Sequence, residues 1–258
     1  MGKKSKNELG KMNEYGLIGY PLSHSFSKNY FEEKFEREKI TNASYSLFEL
    51  ISIEKFPQLI AQHPYLKGLN ITIPYKKTIC SFLSKLDHSA QKVTAVNVVA
   101  CKKKELIGYN TDYLAFKKSL EKILKAAPYI KQALVFGSGG ASLAVQTALQ
   151  DLSILYHVVS RTESSTTVTY AHLSQTNFLQ THYLLINTTP LGMYPGTQTY
   201  PDIAYHHITP QHILYDLVYN PSETLFLKKG KEQGAIIKNG LEMFHTQAEL
   251  SWQIWNLV

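Results

Sequence analysis

The segment Gly137–Ser142, read GSGGAS, is the part of this chain whose residue types and spacing point most directly to chemistry. The apolar run ALVF precedes it and an apolar helical pattern follows it, which places the glycines between a predicted strand and a predicted helix. Glycines in such a turn let a pyrophosphate approach the backbone, where N–H groups and the positive end of the helix hold it. Because Ser142 replaces the third glycine of GxGxxG, a purely structural tight turn is the alternative interpretation.

Arg161 follows Gly137 by 24 residues, at the end of the predicted strand in YHVVSRT. An enzyme that prefers NAD usually places Asp or Glu near this point to bind the ribose 2′-hydroxyl, whereas arginine suits the 2′-phosphate of NADP. No acid precedes Arg161 in the strand, Ser160 and Thr162 add hydroxyl groups, and Glu163 comes just after. We therefore predict a preference for NADP, with a surface arginine at a strand end as the alternative.

Polar residues cluster in the first half of the chain where the predicted strands end. Three groups are present: His24, Ser25 and Ser27; Asn70, Thr72 and Lys76; and Asn110, Thr111 and Asp112. Together these hydroxyls, amides, one lysine and one aspartate suit a polar ligand that carries several hydroxyls. Each residue alone is explained equally well as a helix cap or turn residue. Beside a dinucleotide turn, the groups predict a hydroxylated acid as the substrate of hydride transfer.

Composition and charge narrow the class of protein. With 258 residues, 44% hydrophobic and 18% charged, the chain has the composition of a folded globular protein of two domains. Part of the net charge of +7 lies in the first 12 residues and the remainder is scattered, so we expect no nucleic-acid partner. No apolar run approaches the roughly 18 residues that a membrane helix needs, so we expect no membrane partner.

Neither a metal nor a secretory signal is expected. The two cysteines lie 21 residues apart without a CxxC motif, and the ten histidines show no HExxH spacing. The basic start of the chain lacks the apolar segment of a secretory signal, which favours a cytoplasmic location. We therefore expect a cytoplasmic protein that holds no metal ion.

The elements that must position these residues alternate between strand and helix along the chain. In the first half we predict strands over 15–20, 43–50, 69–73 and 93–101, and helices over 27–39, with Ser27 as N-cap, 53–62 and 112–125. From residue 132 we predict strands over 133–136, 155–159, 183–187, 213–217 and 235–238, and helices over 142–149, 223–232 and 241–255. The strand–helix–strand order predicts a parallel sheet in the second half.

Eight segments, in order, resemble the shikimate dehydrogenase family: HSFS, NITIPYK, AVN, NTD, GSGGAS, SRT, YDLVYNP and NGLEM. The resemblance runs from about Tyr15 to the C-terminus. It implies an α/β fold with an N-terminal α/β substrate domain, a Rossmann-like NADP-binding domain and a C-terminal helix that returns to the first domain. The expected domains are 12–111 with 240–258, and 112–239, and residues 1–11, which have no counterpart in the family, are expected to be a disordered basic extension.

The resemblance implies an oxidoreductase that reduces 3-dehydroshikimate to shikimate with NADPH, on the route to chorismate and the aromatic amino acids. Two alternatives stay open. One is a quinate/shikimate dehydrogenase that also accepts NAD, and the other is a non-catalytic sensor of NADP or a metabolite on the same scaffold. The expected partner is the small-molecule substrate, and the chain is expected to be a monomer or a homodimer.

The resemblance also assigns roles to single residues. Lys76 and Asp112 are the expected catalytic pair, and the motif leaves open which of them donates the proton. The expected substrate-binding residues are Ser25, Ser27, Asn70, Thr72, Asn97, Tyr219 and Gln247. The expected cofactor-binding residues are Gly137, Ser138, Gly139, Gly140, Ala141, Ser160, Arg161, Thr162, Asn187, Thr188, Thr189, Gly240 and Met243.

The sequence departs from the family's usual residues at Lys28, Tyr113, Ala115, Ser160 and Glu242. Tyr113 occupies a place after NTD where the family often has glycine, and its larger side chain is expected to narrow the space between the domains or to shift helix packing. Glu242 replaces a common glycine in NGLEM, and no role for it follows from the sequence.

Overall fold

The computed structural model describes residues 12–22, 25–102, 105–162, 164 and 166–257. They form two compact units, each with one six-stranded sheet. The first unit contains the described residues up to Thr111 and those from Ala248 onwards, and the second is Asp112–Gln247. The expected extension over residues 1–11, together with His24 and Glu163, lies outside the described residues.

The first unit has a mixed sheet with both parallel and antiparallel strand pairs. Its strands are β1 (Asn13–Gly19), β2 (Ala43–Glu49), β3 (Leu66–Ile71), β4 (Lys85–Leu86), β5 (Val98–Lys102) and β6 (Glu105–Tyr109). Its helices are α1 (Phe26–Arg37), α2 (Phe56–Gln62) and α3 (His88–Val93), with 3-10 turns over Ile53–Lys55 and Thr78–Phe82. The strand order is β2-β1-β3-β5-β6-β4, and β1 pairs in parallel with β2 and β3, whereas β5 runs antiparallel to β3 and β6.

The N-cap of helix α1 lies two residues earlier than predicted. Ser25 has extended backbone, and its side chain accepts a hydrogen bond of 3.3 Å from the backbone N–H of Ser27. Ser25 is therefore the N-cap, and the prediction of Ser27 is wrong. Both serines satisfy the chemistry of a cap, so only the backbone conformation decides between them.

The predicted strand over 93–101 is also wrong in its first half. Residues up to Val93 belong to α3, which Asp87 caps by accepting a hydrogen bond from the backbone N–H of Ser89. Thr94, with a φ of 56°, ends this helix, and β5 starts only at Val98. Only Val93 of the predicted strand belongs to the helix, and residues 94–97 form the connection to β5, in which Ala95 and Val96 are fully buried. A buried connection and a buried strand give the same apolar run, so hydrophobicity alone does not separate them.

The second unit is built on a sheet that is parallel throughout, as predicted. Its strands are β7 (Gln132–Phe136), β8 (Leu155–Ser160), β9 (Thr167–Thr169), β10 (Leu184–Asn187), β11 (Ile213–Asp216) and β12 (Ile236–Lys238). Its helices are α4 (Thr111–Ala126), α5 (Gly140–Asp151), α6 (Tyr170–Ser174), α7 (Phe178–Thr181) and α8 (Leu225–Glu232), with a 3-10 turn over Tyr205–His207. The strand order β12-β11-β10-β7-β8-β9 reverses direction between β7 and β10, which is the switch point where doubly wound folds bind ligands.

The last helix, α9 (Leu241–Leu257), ends in the core of the first unit, as the fold prediction has it. The indole N–H of Trp255 donates to the carbonyl oxygen of Val99 at 3.1 Å, and its ring packs against Tyr15 and Phe31. Residues 240–247 fall in the second compact unit. The domain limits expected from the sequence stay a prediction.

Two further properties concern only the part of the chain that the structure describes. None of its helices combines the length and the apolar character needed to cross a bilayer. It contains no group of three or more His, Cys, Asp or Glu side chains placed to hold a metal ion.

Candidate active site

The glycine turn lies at the switch point of the second sheet, directly after β7. Gly137 has a φ of +106°, and a Cβ added there would lie 2.8 Å from Oγ1 of Thr188, so this position requires glycine. Gly139 differs, because a Cβ added there would meet no atom within 4 Å. Packing within the unit therefore does not demand a glycine at Gly139. The open space leaves room for a ligand to approach the backbone there.

Helix α5 presents its N-terminus at this turn. Its N-cap is Gly139, no side chain makes a capping hydrogen bond, and its first turn, which includes Gly140 and Ala141, carries no acid. Ser138 is exposed, whereas Ser142 is buried and accepts a hydrogen bond of 2.9 Å from the side chain of Gln146. The residue that replaces the third glycine thus packs inside the unit. The N–H groups and the dipole at this end of α5 suit an anion such as a pyrophosphate.

The loop after β10 lies against the glycine turn. The backbone N–H and the hydroxyl of Thr188 both donate to the carbonyl oxygen of Phe136, at 2.9 and 2.6 Å. Oδ1 of Asn187 accepts hydrogen bonds from the backbone N–H and the hydroxyl of Thr189, at 3.0 and 2.6 Å. Two groups of predicted cofactor residues, separated in sequence, therefore meet at the carboxyl ends of β7 and β10.

Asp216, at the end of β11, was not among the predicted site residues. Its buried carboxylate accepts three hydrogen bonds, from Nδ2 of Asn187 at 2.9 Å, the backbone N–H of Val218 at 3.0 Å and the hydroxyl of Thr224 at 2.6 Å. Burial raises the pKa of Asp216 to about 7 against the lowering effect of these donors. The signals in the sequence are an acid at the end of an apolar strand and its place in the segment YDLVYNP.

The end of β8 carries the predicted determinant of cofactor choice. Arg161 is exposed, and the backbone N–H of Thr162 donates to Oγ of Ser160 at 3.4 Å. Burial raises the pKa of Tyr170 to about 12, while the nearby charge of Arg161 acts in the opposite direction. The described residues of β8 include no acid. A guanidinium at this strand end fits a phosphate, as NADP requires.

In the first unit, Ser27 and Asn70 are joined through Tyr45. The Tyr45 hydroxyl donates to Oδ1 of Asn70 at 2.8 Å, and Nδ2 of Asn70 donates to Oγ of Ser251 at 3.1 Å. Burial raises the pKa of Tyr45 well above its usual range, and a hydrogen bond with Ser27 acts in the opposite direction. Neither Tyr45 nor Ser251 was predicted, because nothing in the local sequence marks them as partners of Asn70.

Asn97 is held beside this group. Its Oδ1 accepts from the backbone N–H of Thr111 at 2.7 Å, and its Nδ2 donates to the Thr111 hydroxyl at 2.9 Å. The Thr111 hydroxyl lies 3.5 Å from Oγ of Ser251, which also contacts Asn70. Thr72 directly follows β3. Its backbone N–H donates to the carbonyl oxygen of Ile18 at 2.8 Å, and the residue is partly buried.

The two expected catalytic residues lie in different units, and each is described by itself. Lys76 follows β3, its carbonyl oxygen accepts from the backbone N–H of Val96 at 2.7 Å, and the residue is partly buried. Asp112 is buried in the first turn of α4. Burial raises the pKa of the Tyr219 phenol, and the charge of Asp112 adds to that rise. The Tyr219 ring stacks on Phe244, with centroids 4.8 Å apart.

The start of α9 holds the remaining predicted residues. A Cβ added to Gly240 would lie 2.1 Å from the carbonyl oxygen of Leu217, so backbone packing requires glycine here. Met243 is buried one turn further on, and Gln247 is partly buried in the second unit. The structure thus fixes the entry to α9 against the segment that follows β11.

Two of the departures from the family's usual residues, Tyr113 and Glu242, make specific contacts in the second unit. The Tyr113 hydroxyl is hydrogen-bonded to the carboxylate of Asp151, which joins the start of α4 to the end of α5. The Glu242 carboxylate forms ion pairs with Lys122 and Lys238. These pairs hold the first turn of α9 to α4 and to the end of β12.

Comparison with known proteins shows which family this chain resembles. Residues 17–99 match the family described as the shikimate dehydrogenase substrate binding domain. The chain is 36% identical to the shikimate dehydrogenase (NADP(+)) of Methanococcus aeolicus over 255 residues, covering 93% of this chain and 90% of that protein.

Solved structures are similar over nearly the whole chain. One is the chorismate mutase/shikimate 5-dehydrogenase fusion protein from Clostridium acetobutylicum, with a TM-score of 0.84 and 34% identity over 96% of this chain and 92% of that one. Another is the shikimate 5-dehydrogenase from Thermus thermophilus in complex with NADP(H) and shikimate, with a TM-score of 0.83 and 26% identity over 96% of this chain and 94% of that one.

Proposed function

Because the chain belongs to the shikimate dehydrogenase family, we propose that it reduces 3-dehydroshikimate to shikimate with NADPH, in the biosynthesis of chorismate and the aromatic amino acids. The observation that carries this proposal is that the family likeness extends across both compact units, and the segments NITIPYK and NTD, which resemble the family, contain Lys76 and Asp112. A protein that only bound the nucleotide would need neither of these two side chains.

The residues of the second unit fit NADP as cofactor. The open space at Gly139 and the N-terminus of α5 suit the pyrophosphate, and Arg161 suits the 2′-phosphate. Asn187, Thr188 and Thr189 are proposed to line the cofactor site. The nicotinamide would be bordered by the entry to α9, at Gly240 and Met243. When bound, NADPH supplies the hydride that reduces the substrate carbonyl.

Substrate binding is proposed for the polar residues of the first unit together with three residues of the second. Ser25 and Ser27 would hold the carboxylate of the substrate, while amide and hydroxyl side chains would bind its ring hydroxyls. The residues proposed for the hydroxyls are Asn70, Thr72, Asn97 and Asp112, with Tyr219 and Gln247 as further contacts. The network through Tyr45 supports this, because it fixes the Asn70 amide before any ligand arrives.

Lys76 and Asp112 are proposed to handle the proton of the reaction. Reduction of a ketone leaves negative charge on its oxygen, and a lysine ammonium can donate the proton that converts this oxygen to a hydroxyl. Asp112 would bind the substrate hydroxyl and take part in the same proton transfer. Either residue can donate the proton to the substrate oxygen. Single variants at Lys76 and at Asp112 would show which of them does so.

The proposal is tested by following absorbance at the nicotinamide band with shikimate or quinate and NADP⁺ or NAD⁺, in four pairings. We expect rapid reduction only with shikimate and NADP⁺. Comparable rates with quinate or NAD⁺ would point instead to a quinate/shikimate dehydrogenase. Folded protein that binds NADP⁺ and reduces it in no pairing would refute the enzyme and favour a sensor. No observation in the structure favours either alternative.

Two broader properties stay predictions. We propose a cytoplasmic location, which cell fractionation would check. The monomeric or homodimeric state is checked by sedimentation of the purified full chain.

A further inference from the structure

Asp216 occupies the meeting point of three segments in the second unit. It is the last residue of β11 and is fully buried, and its register partner is Asn187, the last residue of β10. Asn187 in turn pairs with Phe136, the last residue of β7. Asp216 is therefore one strand removed from the switch point at which the glycine turn begins.

The partners of Asp216 are all donors. The amide of Asn187, the backbone N–H of Val218 and the hydroxyl of Thr224 belong to the end of β10, the segment after β11 and the N-cap of α8. We call Asn187, Asp216, Val218 and Thr224 the Asp216 cluster. An ionised carboxylate can accept all three hydrogen bonds at once, and an amide in its place cannot.

The carboxylate and the carbonyl oxygen of Leu191 together favour one orientation of the Asn187 amide. Nδ2 of Asn187 donates to Asp216 and to the carbonyl oxygen of Leu191, so Oδ1 is left to accept both donors of Thr189. A reversed amide would turn its oxygen toward the carboxylate and its N–H groups toward the Thr189 donors. Such a flip would break the contacts that hold Thr189 beside Gly137.

We propose that Asp216 is a positioning residue of the cofactor site: it orients the Asn187 amide and so holds Thr189 beside the glycine turn. The inference rests on the proposed function, since it takes NADP as the ligand of that turn. In this proposal Asp216 does not touch the cofactor and acts on it through Asn187.

The test uses Asp216→Asn in the full chain, which keeps the size of the side chain and removes its charge. Tyr215→Phe is the matched control. Tyr215 precedes Asp216 on β11, is equally buried, and donates a hydrogen bond of 3.0 Å to Ser119 outside the Asp216 cluster. Calorimetry gives the Kd for NADP⁺ without substrate, steady-state kinetics give both KM values and kcat, and thermal unfolding gives Tm.

We expect Asp216→Asn to raise the Kd and KM for NADP⁺ about tenfold, the loss of one charge-assisted hydrogen bond. The KM for shikimate and the kcat at saturating NADP⁺ should stay near those of the wild type. Tyr215→Phe should lower Tm without changing the Kd. An unchanged Kd in Asp216→Asn, or an equal rise in Tyr215→Phe, would show that Asp216 is only structural and would overturn the proposal.

Two further variants keep the test decisive. If Asp216 acts through the amide, Asp216→Asn should add nothing to the Kd of Asn187→Ala, and additive effects would contradict this route. If Asp216→Asn does not fold, Asn187→Ala alone removes the amide that Asp216 is proposed to orient. A folded Asn187→Ala with an unchanged Kd for NADP⁺ would overturn the inference.

The wild type separates this inference from the function on which it rests. Wild-type protein that binds NADP⁺ but oxidises no shikimate refutes the proposed enzyme, while the comparison of Kd values between variants still decides the role of Asp216. Wild-type protein that does not bind NADP⁺ overturns both.

Discussion

The hydroxyl of Tyr45 donates a hydrogen bond of 2.8 Å to Oδ1 of Asn70. The amide nitrogen of Asn70 donates in turn to Ser251, so both ends of the amide have a fixed partner. Strand β2 and helix α9 thereby orient a side chain on β3 that is proposed to bind a substrate hydroxyl. The orientation is part of the folded unit and needs no ligand to set it.

Tyr45→Phe removes this hydroxyl and keeps the ring, which stacks on Phe31 with centroids 4.6 Å apart. We expect the KM for shikimate to rise about two- to tenfold, since one neutral hydrogen bond contributes about 0.5–1.5 kcal/mol. The KM for NADP⁺ should not change. Tyr15→Phe, in the same aromatic cluster, is the control and should leave both KM values unchanged. An unchanged KM for shikimate in Tyr45→Phe would exclude Tyr45 from substrate binding.

Lys76→Ala removes the proposed proton donor. We expect kcat to fall by about 10²-fold or more, because general acid catalysis contributes on this scale. Calorimetry should show the Kd for NADP⁺ unchanged. Lys77→Ala removes the next lysine along the chain, which is exposed, and should keep normal turnover. Near-normal kcat in Lys76→Ala would contradict the catalytic role.

Arg161→Ala removes the guanidinium at the end of β8. We expect the KM for NADP⁺ to rise about ten- to a hundredfold, the range for a hydrogen bond to a charged group, with little change in the KM for NAD⁺. Only NADP⁺ carries the 2′-phosphate. Lys118→Ala removes an exposed positive charge from α4 and controls for general electrostatic attraction. Equal increases for both nucleotides would mean that Arg161 does not recognise the 2′-phosphate.

Alanine at the two glycines of the turn should give opposite results. Gly139→Ala meets no atom within 4 Å, so we expect an unchanged Tm and a large loss of NADP⁺ affinity. Gly137→Ala places a side chain at a φ of +106°, so we expect a lower Tm. Thermal unfolding and calorimetry on both variants decide the matter. Normal NADP⁺ affinity in Gly139→Ala would show that the glycine turn does not contact the cofactor.

Local sequence patterns predict those parts of the fold that depend on neighbours in the chain. The strand that ends at Phe136, the glycine turn and α5 follow from period and composition, and the structure has them where the sequence predicts them. The apolar run over 93–101 misleads, because its first half is a buried connection between α3 and β5, and burial selects apolar side chains there as it does in a strand. The choice of Ser27 as cap fails for a related reason, because Ser25 offers the same chemistry.

Polar contacts between residues far apart in the sequence could not be predicted from local patterns. Asn187 and Asp216 are 29 positions apart, and Asn70 and Ser251 are 181 apart. Such pairs depend on strand order, register and the return of α9, none of which a local pattern encodes. The residue types at the site could therefore be predicted, but not the side chains that orient them.

His182 gives the second unit a defined response to acid. Its ring is buried, Nδ1 lies 3.0 Å from the carbonyl oxygen of Phe178, and Nε2 lies 3.0 Å from Nδ1 of His157. Burial, with a smaller effect from His157, lowers the pKa of His182 from 6.5 to about 4. The folded state then binds a proton less readily than the unfolded chain. This favours folding above pH 6.5, and the benefit is lost as the pH falls towards 4.

His182→Gln should remove this dependence, because glutamine does not titrate. We expect the free energy of unfolding, from urea titrations at several pH values between 6.5 and 4, to fall less steeply in the variant than in the wild type. His206→Gln replaces an exposed histidine and should keep the wild-type slope. The raised pKa of Asp216 acts in the opposite direction, since its contribution to stability is lost as the pH rises towards 7, and it is common to all three proteins. The difference between His182→Gln and His206→Gln therefore isolates His182, and equal slopes in the two variants would show that its pKa is not lowered.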